Sequence, residues 1–288
     1  MKPEVALPAR ESLAIPTTSY EPRSAPASDL RREADRVRAG TRLRLPERGG
    51  DWYALMKPSI DFVTATVLLV PVLPLIAFAW LLVKLFSRGP GFYIQTRTGL
   101  GGLPYRIIKV RSMHHRAEEK TGGPQWSPVN DPRIFPLGKF LRRTHLDELP
   151  QLFNVLRGQM SLVGPRPERP EVIASKGLCD EVPGYDIRMM ARPGVTGFAQ
   201  VQLPADSDIP SVRHKVYYDL YYILNQSLWF DFRIGLATLF KSAGVGPVWL
   251  RRLFFLPSPE TVLRQFLALA RPPCPDRPSS TRLQRVPS

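Results

Sequence analysis

The chain has 288 residues, with 40 Lys and Arg against 25 Asp and Glu, a formal charge of +15 and a pI of about 10.3. That length holds one or two domains with a real core, and that charge suits a polyanionic partner: nucleic acid, anionic lipid or a phosphorylated small molecule. The two cysteines, Cys179 and Cys274, make neither a disulfide framework nor a metal spacing, and the four histidines form no zinc-ligand pattern, so a disulfide-stapled or zinc-centred design is excluded and a reducing cytoplasmic setting fits.

Residues 1–50 are rich in Pro, Ser, Arg and Glu and poor in periodic apolar residues, which predicts a mostly disordered tail. No apolar stretch follows the start, so a signal peptide is not expected. The next segment, 51–88, contains the uncharged run Phe62 to Val83, in which only Thr64 and Thr66 are polar. Its length suits a membrane helix of about 20 residues. Pro71 and Pro74 stand in its middle, where each removes a helix hydrogen bond and crowds the preceding turn. Basic residues flank both ends (Arg42, Arg44, Arg48 and Lys57 before, Lys84, Arg88 and Arg97 after), so the positive-inside rule favours neither orientation. On physical grounds a Pro-kinked crossing and a helix that enters, bends and returns fit equally well. Lys57 and Asp61, four apart, would share a helix face as a structural ion pair.

Residues 89–245 carry the pattern of a mixed soluble domain. "GFYIQTRTGLGGLPYRIIKVRSM" predicts two short strands around a Gly-rich turn, Leu100 to Pro104. "RAEEKTGGPQWSPVNDPRI" predicts a loop and "LGKFLRRT" a helical turn. "VRHKVYYDLYYILNQSLWFDFRIGLATLFK" predicts two helices divided near Asn225. Their aromatics, Tyr217, Tyr218, Tyr221, Tyr222, Trp229, Phe230 and Phe232, suit either a core or a lipid interface. The C-terminal extension, 246–288, holds an amphipathic pattern from Glu260 to Leu269 and then a Pro/Arg/Ser tail.

The chemistry gathers in "THLDELPQLFNVLRGQMSLVGPRPE". Leu149, Leu152, Phe153 and Leu156 recur at helical spacing, Gly158 is a natural stop, and Pro150 must sit in the first turn. A helix is therefore expected to start near His145 to Asp147, with Asp147 and Glu148 at its N-terminus. Acidic residues there are ordinary capping. The surroundings add more: Arg142 and Arg143 precede the pair, and "GPRP" holds Arg166 on stiff backbone. Arginine suits bidentate phosphate contact, and adjacent carboxylates among arginines suggest phosphoryl chemistry with a divalent metal. Adjacent helical residues point about 100° apart, so the two carboxylates suit distinct roles.

"TRTGLGGLPYRIIKVRSM", "NDPRIFPLGKFLRRTHLDELPQLFNVLRGQMSLVGPRPE", "RPGVTGFAQV" and "YYDLYYILNQSLWFDF" together resemble the bacterial sugar transferases, the monotopic phosphoglycosyl transferases of the polyprenyl-phosphate kind, from about Lys57 to Lys241. The resemblance implies transfer of a sugar-1-phosphate from a UDP-sugar to undecaprenyl phosphate with release of UMP, the first membrane step of exopolysaccharide or related glycan synthesis. It implies Asp147 as the nucleophile that forms a covalent phosphosugar intermediate and holds Mg²⁺, with Glu148 for acid/base work or orientation. It places Lys109 of "KVRSM" and Arg166 of "GPRP" at the active site; Arg111 and Arg143 join them as expected phosphate-binding residues. It implies a re-entrant helix-break-helix bent at Pro71 and Pro74, on the cytoplasmic face of the bacterial inner membrane beside anionic lipid. Two stretches depart from the family pattern. The Ser-Pro break reads Leu73-Pro74, and Q-V-N-G-R reads Gln200, Val201, Gln202, Leu203, Pro204, without an arginine often used there for substrate.

The expected fold class is thus α+β: a re-entrant membrane helix, then a compact, mainly helical cytoplasmic catalytic domain with a small β-hairpin. The expected partners are the two substrates and anionic lipid, not nucleic acid, and a homodimer is left open. Two rivals stand beside this reading: a membrane-tethered basic module without catalysis, and an inactive relative kept as a scaffold.

Overall fold

The computed structural model describes residues 26–37, 41, 43, 45, 52–117, 126 and 131–270. Within the segment read as a disordered tail, Ala27–Asp35 forms a helix, α1, and the reason is local: Leu30 and Ala34, four apart, are both fully buried. Most of the rest of the expected N-terminal tail, most of the loop after Arg116 and the tail after Ala270 lie outside the described residues. Trp52–Phe86 is one long helix, α2, whose helical hydrogen bonding carries on through Pro58, Pro71 and Pro74.

The hairpin takes its expected form. β1 (Phe92–Thr98) pairs antiparallel with β2 (Pro104–Val110), Phe92 opposite Val110 and Thr98 opposite Pro104. The turn between them uses Gly101 and Gly102, both at positive φ, where a side chain would strain the backbone. After it come α3 (Pro136–Arg143), a 3₁₀ turn over Leu146–Gln151, and α4 (Leu152–Leu156). A second pair, which the sequence reading did not anticipate, joins β3 (Ser161–Val163) and β4 (Gly194–Thr196) in parallel, bracketing α5 (Pro170–Ser175) and α6 (Leu178–Glu181). Strands of three residues fall below what period-two patterning can signal.

Behind β4 come α7 (Phe198–Gln202), α8 (Ile209–Asn225), α9 (Leu228–Ser242), α10 (Pro247–Leu253) and α11 (Pro259–Ala270). The division near Asn225 and the amphipathic helix near Glu260 are as expected, while α10 is an addition. Side-chain caps start both helices: Asp208 accepts from the Ser211 amide at the head of α8, and Ser227 accepts from the Phe230 amide to start α9 just after the break.

The main core forms around α8, whose Val212, Val216, Tyr217, Leu220 and Tyr222 pack on Phe266 of α11, Phe198 of α7 and Leu30 of α1. The aromatics divide between the two expected environments. Tyr217, Tyr218, Tyr222 and Phe230 are buried, whereas Trp229 is 65% and Phe232 53% exposed.

α2 lies along the domain rather than apart from it. Its N-terminal half contributes Ala65, with Leu69 and Val72 beside it, to a cluster with Tyr105, Ile107, Leu152, Val155 and Met160. Its C-terminal half places Ala79 and Val83 against Val110, Phe135 and Leu141. The opposite side, including Phe62, Val67, Val70, Leu73 and Phe78, is exposed, and only 17% of the most apolar stretch is buried. A soluble core helix would bury that stretch.

A buried polar knot fastens α2. Lys57 bonds Asp231 of α9 and lies 3.5 Å from Asp61, the ion pair expected from their spacing. Tyr53 and Tyr222 donate to Asp231 at 2.5 and 2.8 Å, and Ser161 of β3 donates to Asp61 at 2.6 Å. Every charge in the knot has a partner, the condition under which buried ions are tolerated.

The docking of α1 depends on a histidine. Arg31 donates to Nδ1 of His214 at 2.9 Å, while Asp35 lies 3.7 Å from its other ring nitrogen. Burial first, then Arg31 and Arg213, lower the His214 pKa below 6.5, against Asp35 and Asp208. The neutral ring is therefore the docked form. Its contribution is present above pH 6.5 and is lost as pH falls below that value, because the unfolded chain binds the proton more readily. Hydrogen exchange of the Ala27–Asp35 amides, corrected for intrinsic rates, is predicted to quicken as pH drops below 6.5. In His214→Gln it should show no such dependence.

Candidate active site

Three backbone segments meet at the Asp147–Glu148 pair, and close backbone packing sets their positions. α3 lies directly on the chain that leaves β2, since a Cβ at Gly138 would overlap the Ser112 carbonyl. α3 then ends in a left-handed residue, His145 at φ 57°, a conformation that costs a non-glycine residue about 1 kcal/mol or more. That reversal starts the 3₁₀ turn with Asp147 and Glu148 facing inward. An α-helix from His145 was expected; Pro150 and the left-handed entry give a tighter turn, and α-helix begins only at Leu152.

Asn154 ties this segment to the hairpin. Fully buried, it accepts from the Ile108 amide at 3.1 Å and donates to the Arg106 carbonyl at 2.7 Å. These bonds fix β2, and with it Lys109, beside the 3₁₀ turn. The third segment is the Gly164–Pro167 loop. Side chains at Gly164, Gly194 or Gly197 would each collide with facing backbone, so the loop sits flush on β4 and presents Arg166 to the site.

Glu148 is the electrostatic centre. Its Oε1 accepts from Lys109 Nζ at 2.7 Å and from Arg166 at 3.0 Å, and these cations hold its pKa well below the usual carboxylate range against the cost of burial. A carboxylate so held stays ionised, which suits positioning rather than proton transfer. Asp147 is the reverse case. It is 6% exposed and accepts no hydrogen bond among the described residues, and burial followed by the Glu148 charge pushes its pKa up to about 6. Lys109, Arg142 and Arg166 act on it in the opposite sense. Asp147 is thus a poorly solvated carboxylate, with three cations near and none bonded to it.

Lys109, Asp147, Glu148 and Arg166 come together as the sequence implied. Arg111 does not join them. Its guanidinium donates to the carbonyls of Pro90 at 2.6 Å and Ser87 at 2.9 Å, so it braces the end of α2 against the hairpin. Arg143 is exposed on α3, and its neighbour Arg142 turns inward instead, donating to Ser112 at 2.9 Å and acting on Asp147. Asn154 was missed because it falls off the stripe of Leu149, Leu152, Phe153 and Leu156, where an amide reads as an ordinary solvated residue. Pro71 and Pro74 lie on the exposed side of α2, away from this cluster.

The 3₁₀ turn itself packs on α2, so the two carboxylates sit where the apolar helix meets the polar domain. One set of residues therefore offers a phosphate cradle, an unengaged carboxylate and an adjoining apolar surface.

Comparison with known proteins agrees with this arrangement. The profile described as "Bacterial sugar transferase" matches residues 52–244. A UDP-N-acetylgalactosamine-undecaprenyl-phosphate N-acetylgalactosaminephosphotransferase of Aeromonas hydrophila is 40% identical over 187 residues, covering 65% of this chain and 43% of that one. UDP-glucose:undecaprenyl-phosphate glucose-1-phosphate transferases of Escherichia coli K12 and Caulobacter vibrioides are each 41% identical over 189 residues. The matches cover 65% and 64% of this chain, and 40% and 68% of the two relatives. The chain thus spans about two fifths of two of these curated relatives and about two thirds of the third. The matched span contains the hairpin, the carboxylate pair and the Arg166 loop, and the chain belongs to the bacterial sugar transferase family.

Proposed function

We propose that this protein moves a sugar-1-phosphate from a UDP-sugar to undecaprenyl phosphate in two displacements at Asp147. In the first, a carboxylate oxygen bonds to the phosphorus that bears the sugar. The bond from that phosphorus to the bridging oxygen breaks, and UMP leaves with the electron pair. In the second, a phosphate oxygen of the lipid bonds to the same phosphorus and the acyl-phosphate bond breaks. The carboxylate is regenerated and the lipid carries a diphosphate-linked sugar. Splitting the transfer lets a water-soluble donor and a lipid acceptor use one site in turn.

The observation that carries this reading is the contrast within the pair. Glu148 is fully engaged by Lys109 and Arg166, while Asp147 is buried, unbonded and next to those same cations. The cations are already oriented toward a developing phosphoryl charge, so little reorganisation is needed when it forms. A Mg²⁺ ion fits this donor set. No group of three or more acidic, His or Cys ligands exists among the described residues, but Mg²⁺ commonly takes one or two carboxylates with substrate phosphates completing its shell. Asp147 would hold it, and the ion would add neutralising charge at the phosphate oxygens.

The reading includes a membrane position. α2 would lie re-entrant on the cytoplasmic side of the inner membrane, bent where Pro71 and Pro74 weaken its hydrogen bonding. Packing of the catalytic domain along both halves of α2 supports this, because a straight crossing would separate one half from the domain. The exposed Trp229, Phe232, Trp249 and Phe255, together with Arg251 and Arg252, suit the headgroup layer of anionic lipid.

The direct test is UMP release by purified protein given radiolabelled UDP-sugars, undecaprenyl phosphate and Mg²⁺. Asp147→Asn is predicted to lower turnover by about a thousandfold or more. Unchanged turnover in that variant, or no UMP from any UDP-sugar, overturns the reading. A paired comparison tests the geometry. Arg142→Ala should cut kcat/KM by about tenfold or more through loss of a charged contact, and Arg143→Ala should stay within about twofold of the parent.

A further inference from the structure

Beyond the Glu148 clamp, the same region holds a cation with no counterion among the described residues. Lys241, in the last turn of α9, is half-buried, and its ammonium donates to the Gln200 carbonyl of α7. The charges that act on it are Lys215 and Arg166, both positive, and it acts in turn on His145. Its neighbours are already engaged: Lys215 pairs with Asp206 at 2.9 Å and Arg166 with Glu148. No carboxylate forms an ion pair with Lys241 among the described residues.

Lys241 is also held in place. Thr238, three residues earlier on α9, shares a 2.6 Å hydroxyl hydrogen bond with Thr196 of β4. The helix that supplies the Gln200 carbonyl begins at Gly197, where a Cβ would overlap the carbonyl of Gly164 at the base of the Arg166 loop. Lys241 and Arg166 are thus carried by two pieces of backbone in direct contact. Burying a lysine among like charges is unfavourable, and burial, Lys215 and Arg166 all lower its pKa. An anion arriving between Lys241 and Arg166 would remove that cost and gain two charge-assisted hydrogen bonds.

We propose that Lys241 is a substrate-binding residue that, with Arg166, takes a phosphate group brought by one of the two substrates. This deepens the proposed function and rests on it. The phosphate belongs either to the diphosphate of the nucleotide sugar or to the head of the lipid acceptor, and kinetics distinguishes the two.

Lys241→Ala, Lys241→Gln and Lys241→Arg are compared by steady-state kinetics with each substrate varied in turn. The neutral variants should raise KM about tenfold for one substrate, with kcat within about threefold, and the arginine variant should stay near the parent. A rise for the UDP-sugar assigns the diphosphate, and a rise for undecaprenyl phosphate assigns the lipid head. Lys241→Gln is decisive, because it keeps an N–H donor, one bond nearer the backbone, and removes the charge. If it matches the parent in both KM values, Lys241 is a structural strut and the proposal is wrong. Calorimetric binding of UDP, and separately of a short-chain polyprenyl phosphate, needs no turnover. Weakened binding of either by the neutral variants supports the proposal, and unchanged binding of both overturns it. These titrations stay readable even if Asp147→Asn retains activity, so failure of the catalytic reading and failure of this one are separable.

Discussion

A single carboxylate oxygen organises this site. Oε1 of Glu148 sits between Lys109 and Arg166, at 2.7 and 3.0 Å, and without it two cations would face each other uncompensated. Lys109 and Glu148 are largely buried, and removing one partner from such a pair costs about 3–5 kcal/mol, a large part of the margin by which a domain stays folded. Arg166, its side chain 39% exposed, is screened by water and contributes less. The clamp joins the hairpin, the 3₁₀ turn and the Gly164–Pro167 loop, three segments distant in sequence. It also sets the character of Asp147. Burial and a neighbouring negative charge keep that carboxylate short of stabilisation, and Lys109, Arg142 and Arg166 offset this only in part.

The rest of the fold serves to keep those segments in register. Backbone-to-backbone contact at Gly138, Gly164, Gly194 and Gly197 allows no slack, and Asn154 couples the helix after the site to the strand that carries Lys109. On the far side, the knot around Asp231 ties α2 to α8, α9 and β3. The apolar helix is therefore part of the same packed body as the carboxylate pair, not a tether for it. The turn that carries Asp147 thus packs on a helix whose opposite side is apolar and exposed.

Much of this was readable from the residues. The Gly-rich turn announced the hairpin, and the adjacency of Asp147, Glu148 and nearby arginines marked the site. What failed, failed for geometric reasons. Lys109 and Arg111 share a face by strand alternation, but β2 ends at Val110, so alternation no longer governs Arg111. Arg142 and Arg143 are about 100° apart on α3, and which one turns inward depends on helix phase. That phase is set by Leu141 in the core and Gly138 against Ser112, which only tertiary packing decides. α1 escaped notice because its buried face is two residues, Leu30 and Ala34, within a polar segment. Lys241 gave no signal at all, since a single lysine near a helix end is an ordinary surface residue until its neighbours are known.

The central claim is that Asp147 carries the sugar phosphate through the reaction. Rapidly quenched protein, incubated with a UDP-sugar that supports turnover but without the lipid acceptor, can be digested and analysed by mass spectrometry. The account predicts that the peptide containing Asp147 gains the mass of one phosphosugar, and that adding undecaprenyl phosphate discharges it. An unmodified Asp147 peptide under conditions where lipid-linked product still accumulates would contradict it.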